Sequence, residues 1–161
     1  VKGPNVMLGY YKNEEATTAV FDEEGFFHTG DYGKLDEDGW IYITGRLKNL
    51  IIFSNGKNVY PEEIETEISR IPGVGEVVVY AGQSRSNPAK EAIVAEIYPD
   101  AEVLSMHGIT DPKAYFDAEV RKINERSVSY KTVNIVKLRD TEFEKNTSRK
   151  IMRHLIDKTI D

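Results

Sequence analysis

The sequence contains no cysteine. That absence excludes disulfides, thiolate zinc sites and a cysteine nucleophile together. Its three histidines, His28, His107 and His154, have no metal-ligand spacing. No Gly-x-Ser-x-Gly or other nucleophile motif occurs. No apolar run approaches the roughly 20 residues that cross a bilayer as a helix, and no signal peptide is visible at the start. Positive charge is in deficit, with 21 Lys and Arg against 27 Asp and Glu, a formal net charge of −6. The basic residues are not interleaved with aromatics. Nucleic acid and anionic membrane are therefore not expected partners, and a cytoplasmic location is expected. Asp36-Glu37-Asp38-Gly39 begins like a calcium loop but lacks the remaining ligand series and the closing Glu. Internal repeats and low-complexity tracts are missing too.

What is present is 161 residues with 40% hydrophobic content, enough for a core in one ordinary domain, or in one small domain plus a piece of another. The opening Val1-Lys2-Gly3-Pro4-Asn5 reads as a chain that starts inside a longer protein. Residues 1 to about 46 read as a small β unit. Asn13–Phe21 is compatible with a short helix. Asp36-Glu37-Asp38-Gly39 is a turn between Tyr32–Leu35 and Trp40–Thr44, so a hairpin is expected. Trp40, Tyr42 and Thr44 alternate with Ile41 and Ile43 and should face opposite sides. Residues 47–161 read as a second, α+β unit. Leu50–Phe53 is strand-like and Asn55-Gly56-Lys57-Asn58 a turn. Pro61 opens a helix, with Glu62, Glu63 and Glu65 in its positive first turns and Ile64, Ile68 and Ile71 as its buried stripe. Pro72-Gly73 should stop it. Strands are expected at Glu76–Tyr80, Ala92–Ile97 and Asn134–Leu138. Asp111-Pro112 should cap a helix carrying Phe116, Val120 and Ile123, and Ile151 and Leu155 should share a face of a final helix. Strands and helices alternate without a long βαβ series, which favours α+β over a doubly wound sheet.

Several residues have the chemistry of a nucleotide and carboxylate site. Asp31, just after a glycine turn in Thr29-Gly30-Asp31, suits a vicinal diol, because a carboxylate accepts two charge-assisted hydrogen bonds. Arg46, in Gly45-Arg46, offers a planar five-donor fork for phosphate or ribose oxygens, or alternatively for a surface salt bridge to Asp31 or Asp36 that would contribute little. Gly56 lies where the backbone must approach a ligand closely or φ must be positive. Lys150 ends Phe143-Glu144-Lys145-Asn146-Thr147-Ser148-Arg149-Lys150.

Thr29-Gly30-Asp31 followed by Gly45-Arg46-Leu47-Lys48 and the run to Tyr60-Pro61-Glu62-Glu63-Ile64-Glu65 resembles the C-terminal part of the adenylate-forming enzymes: acyl-CoA synthetases, luciferases and peptide-synthetase adenylation domains. The resemblance spans almost the whole chain. It implies that residues 1–46 end a large N-terminal AMP-binding domain and that 47–161 form its small mobile C-terminal lid. It implies that Asp31 binds the ribose of ATP, that Arg46 lies near the nucleotide, and that Lys48 is the hinge. The loop holding Gly56 and Lys57 would line the passage for the pantetheine arm of CoA, and Lys150 would enter the active site for adenylation. The family motif around that lysine has proline, threonine and glycine where this chain has Glu144, Asn146 and Arg149. The form Glu142–Lys150 looks most like prokaryotic long-chain acyl-CoA synthetases. The expected parent is an AMP-forming acid–thiol ligase using ATP with magnesium, CoA and a carboxylic, fatty, acid. The N-terminal domain of the same polypeptide is the expected partner. The chain alone lacks the phosphate loop and the acyl pocket and is expected to be inactive. Two rivals are a peptide-synthetase adenylation domain using a carrier protein and a non-catalytic partner-binding module of the same fold.

Overall fold

The computed structural model describes residues 1–53, 56–87 and 91–160. The chain divides into two compact units, Val1–Lys48 and Asn49–Asp161. The first holds a short helix α1 (Glu14–Thr18), capped by the Asn13 side chain accepting from the Ala16 N–H, and a hairpin of β1 (Asp31–Leu35) and β2 (Ile41–Arg46). Its turn closes because one Asp36 carboxylate oxygen accepts from the N–H groups of Asp38 and Trp40 at 3.1 and 2.8 Å. The strands pair antiparallel with a bulge at Tyr32/Gly33, which puts Asp31 opposite Arg46. Leu35, Ile41 and Ile43 are exposed, and so is Trp40.

The second unit holds the core. A small hairpin of β3 (Ile51–Ile52) and β4 (Asn58–Val59) leads into α2 (Pro61–Ile68). Next come β5 (Val74–Gln83), β6 (Glu91–Pro99), α3 (Ala101–Met106), α4 (Pro112–Arg126) and β7 (Ile135–Leu138). The sheet order is β5-β6-β7, antiparallel then parallel, with α3 and α4 in the crossover between the parallel strands. The helices cover one face: Ile64, Ile68, Phe116 and Val120 pack with Val79, Ile93, Ala95 and Ile97. Alternate residues, Val78, Tyr80 and Val94, face the other way, as the strand period of two requires. They are covered by Phe143, Ile151, Ile156 and Ile160 from the segment after β7. The mixed helix–strand fold agrees with the α+β reading.

Three local expectations need correction. Helix α2 ends at Ile68, where the N–H of the capping residue Ser69 bonds the Glu65 carbonyl, so Pro72-Gly73 belongs to a later turn. The six-residue α3, capped by the Asp100 carboxylate, was not expected from the pattern. The final helix does not form: Lys145 and Ile151 bridge antiparallel across a tight turn, and only a short 3-10 turn, Arg153–Leu155, follows. Ile151 finds its burial against the sheet, while Leu155 stays exposed. Tertiary contact here overrides the helical spacing of these two residues.

Candidate active-site surfaces

The two units carry separate surfaces. In the first, β1 and β2 hold Asp31 and Arg46 as register partners, and their side chains form an ion pair, Arg46 Nε to Asp31 Oδ1 at 2.8 Å. The Asp31 N–H is bonded by Thr29 Oγ1, and the Leu47 N–H donates to the Gly30 carbonyl, which fixes the strand ends. A concavity of about 390 Å³ opens beside them, lined by His28, Thr29, Gly30, Asp31 and Tyr32 among others. Among the described residues no other side chain engages the Asp31 carboxylate, so its second oxygen keeps its acceptor capacity. Lys48 is exposed and is the last residue of this unit, inside the 3-10 turn Leu47–Asn49. Immediately beyond it, the Asn49 amide donates to Glu62 of α2 at 2.5 Å.

In the second unit, Gly56 sits in the connection between β3 and β4; its neighbours Ser54 and Asn55 lie outside the described residues. Gly56 has φ +76°, and a Cβ there would meet nothing within 4 Å. Of the two reasons for a glycine, the backbone conformation is the one this chain displays. The adjacent Lys57 lies over the Tyr130 ring, 5.5 Å from its centroid. Tyr130 has no local sequence signal that would have linked it to this loop.

Lys150 is carried by a tight turn. The Asn146 side chain accepts from the N–H groups of Ser148 and Lys150 at 3.0 and 2.9 Å, and the Asn146 N–H donates to the Lys150 carbonyl at 2.9 Å. Arg149, at the position of the family glycine, is left-handed with φ +59°. The turn is therefore made without that glycine, and an asparagine able to close it is the signal the sequence did offer.

The two lysines of this turn are not equivalent. The Lys145 ammonium is held by Glu142 at 2.6 Å and by Glu76 of β5. These carboxylates, Glu142 foremost, raise its pKa above the ordinary lysine value. Lys150 is exposed, and among the described residues its ammonium has no ionic partner. On the other stem, Arg153 donates to the Val79 carbonyl at 3.2 Å and to Glu65 at 2.5 Å, while the Val79 N–H donates to Glu65 at 2.6 Å. Burial raises the pKa of Glu65, against the opposing pull of Arg153. Glu65 and Arg153 are 88 residues apart in sequence, so no local pattern announces the pair. Among the described residues no group of three or more His, Asp or Glu could hold a metal ion, and no helix is long and apolar enough to cross a membrane.

Comparison with known proteins decides the family. The chain is 35% identical over 156 residues to the 3-[(3aS,4S,7aS)-7a-methyl-1,5-dioxo-octahydro-1H-inden-4-yl]propanoyl:CoA ligase of Rhodococcus jostii (strain RHA1), covering 97% of this chain and 28% of that protein. It is 34% identical over 157 residues to the long-chain-fatty-acid–CoA ligase of Escherichia coli O6:H1, covering 98% of this chain and 26% of that protein. The solved structure of o-succinylbenzoate CoA synthetase from Bacillus subtilis, in complex with its acyl-adenylate intermediate, superimposes with a TM-score of 0.76 at 29% identity, covering 96% of this chain and 28% of that one. This chain belongs with the C-terminal part of the AMP-forming acyl- and aryl-CoA ligases. Its fold matches the small C-terminal domain of adenylate-forming enzymes. No protein-family model matches it. The chain spans under a third of the length of these CoA ligases. Their acids differ widely, so the likeness stands at the level of CoA ligases and not at that of the long-chain type.

Proposed function

We propose that this chain is the working end of an AMP-forming acid–thiol ligase that converts a carboxylic acid, ATP and CoA into acyl-CoA, AMP and pyrophosphate. The observation that carries the reading is the contrast between Lys145, clamped by two carboxylates, and Lys150, displayed on an exposed turn with its ammonium unpaired among the described residues. In the first half-reaction a carboxylate oxygen attacks the α-phosphorus of ATP and pyrophosphate leaves. Negative charge grows on the phosphoryl oxygens, and the Lys150 ammonium stabilises it electrostatically. Asp31 accepts the ribose hydroxyls, and Arg46, paired to it at 2.8 Å, holds that carboxylate and faces the nucleotide. Magnesium enters with the ATP phosphates; this chain's described residues supply no cluster for it. Lys48 serves as the hinge, and the Gly56–Lys57 loop lines the pantetheine passage in the second half-reaction, where CoA sulfur displaces AMP. A longer polypeptide supplies the N-terminal domain, and the enzyme works in the cytoplasm. A long-chain fatty acid is the proposed acid, supported by the Glu142–Lys150 form and by the Escherichia coli relative.

The test uses the full-length enzyme. A panel of dodecanoate, palmitate, 4-coumarate and o-succinylbenzoate first identifies the acid by ATP–pyrophosphate exchange. A preference for either aryl acid removes the fatty-acid assignment. Lys150→Ala is then expected to slow exchange by about 10²–10³-fold, while preformed acyl adenylate plus CoA still gives thioester. Unchanged exchange returns Lys150 to the surface.

A further inference from the structure

We infer that the partly buried Glu65–Arg153 pair is a positioning device, fixing the Lys150 turn to α2 and to the open edge of β5. The inference rests on the assignment of Lys150 proposed above. β5 pairs with β6 along one edge. Along its other edge, Gln83 bonds Lys158 and Ile160 through its N–H and carbonyl. Val79 lies four residues earlier and so presents its own N–H and carbonyl to that same edge. Both would be unpaired there, and both are taken by side chains: the Val79 N–H by Glu65 and its carbonyl by Arg153, while Glu65 and Arg153 also bond each other. Each partner thus meets the other and a buried backbone group, an arrangement that defines position in a way a greasy contact does not.

Arg153 lies three residues beyond Lys150. In between, Ile151 bridges Lys145 and packs on the sheet, and the Met152 N–H donates to the Glu144 carbonyl. The turn is therefore anchored on both stems to β5, through Lys145–Glu76 on one side and through Arg153–Val79 on the other. Glu65 adds a link to α2, the helix that directly follows the Gly56 loop and β4. The pair joins the two working surfaces of this unit into one rigid piece. A purely stabilising role explains this less well, since an ion pair that stays partly exposed contributes little to stability, and its withdrawn charges must first offset their desolvation.

The experiment measures Arg153→Lys and Glu65→Gln in the full-length enzyme, alone and combined with Lys150→Ala, using the acid chosen by the panel. Each single variant is expected to lower the turnover of ATP–pyrophosphate exchange by about 10–100-fold, the effect of a displacement on the order of 1 Å, with thioester formation from preformed adenylate nearly unchanged. Neither should add to the loss once Lys150 is alanine. Trypsin, which needs no substrate, should cut after Arg149 and Lys150 faster in both variants, at temperatures well below unfolding. Equal loss of both half-reactions, additive losses with Lys150→Ala, unfolding of both variants or unaltered cleavage each overturns the inference. If Lys150→Ala itself leaves exchange intact while the turn still opens to trypsin, the Lys150 assignment fails and the anchoring stands.

Discussion

Arg149 occupies a conformation, φ +59°, that costs an L-residue about 1–2 kcal/mol. Its side chain is exposed. Arg149→Gly is therefore expected to raise the melting temperature of the chain by about 2–4 °C, corresponding to roughly 1 kcal/mol at this size, as read by thermal unfolding; a lowered Tm would show that the guanidinium contributes more than the strain removes. Glu65 permits a prediction with a sign. Burial raises its pKa in the folded chain. The stability this carboxyl contributes is thus fully present below its unfolded value and is lost as pH rises through the raised folded value. The Tm difference, wild type minus Glu65→Gln, should shrink from about pH 4 toward neutrality, and a difference that grows instead would mean that Arg153 outweighs burial. At this scale, the sequence displayed Asp31, Arg46 and Lys150 through local motifs. It was silent on Glu65 with Arg153 and on Tyr130 under Lys57, because these meet only after distant segments pack.

Elements followed local chemistry wherever local chemistry agreed with the packing. Pro61 and the Ile64–Ile68 stripe made α2, Asp111 capped α4, and the Asp36 turn made the β1–β2 hairpin. The segment after β7 is the instructive disagreement. Ile151 and Leu155 have helical spacing, yet the left-handed Arg149 and the Asn146 turn break the backbone just before them, and Arg153 is drawn to the sheet edge. β5 and β6 also run longer than their apolar runs, since pairing extends them to Gln83 and Pro99. This segment is held to the sheet by Phe143, nearly fully buried and stacked under Arg139 at 4.1 Å. Phe143→Ala is expected to cost about 3–5 kcal/mol, seen as a lowered urea midpoint; a cost below 1 kcal/mol would show that Ile151, Ile156 and Ile160 hold the segment without it.

Across the whole chain, burial is uneven. Among the described residues, all nineteen buried hydrophobic core residues, from Ile51 to Phe143, lie in the second unit, while the first leaves Leu8, Tyr11 and Trp40 largely exposed. Hydrophobic burial is the dominant favourable contribution to folding. Asn49–Asp161 expressed alone is therefore expected to give one cooperative urea transition followed by circular dichroism, and Val1–Lys48 alone none. A cooperative transition in the shorter piece would show that its hairpin needs no further cover.

The strap of residues that covers the second face of the sheet also sets an order of events during synthesis. Its apolar side chains have nothing to rest on until β5, β6 and β7 are paired, and the parallel pairing of β6 with β7 must wait for the α3–α4 crossover. The turn bearing Lys150, closed by its own Asn146 bonds, is thus seated in place only on a sheet already assembled. A nascent chain in which β7 has not yet docked would carry every residue up to the lysine in its covalent sequence and still not hold that lysine in place against the sheet.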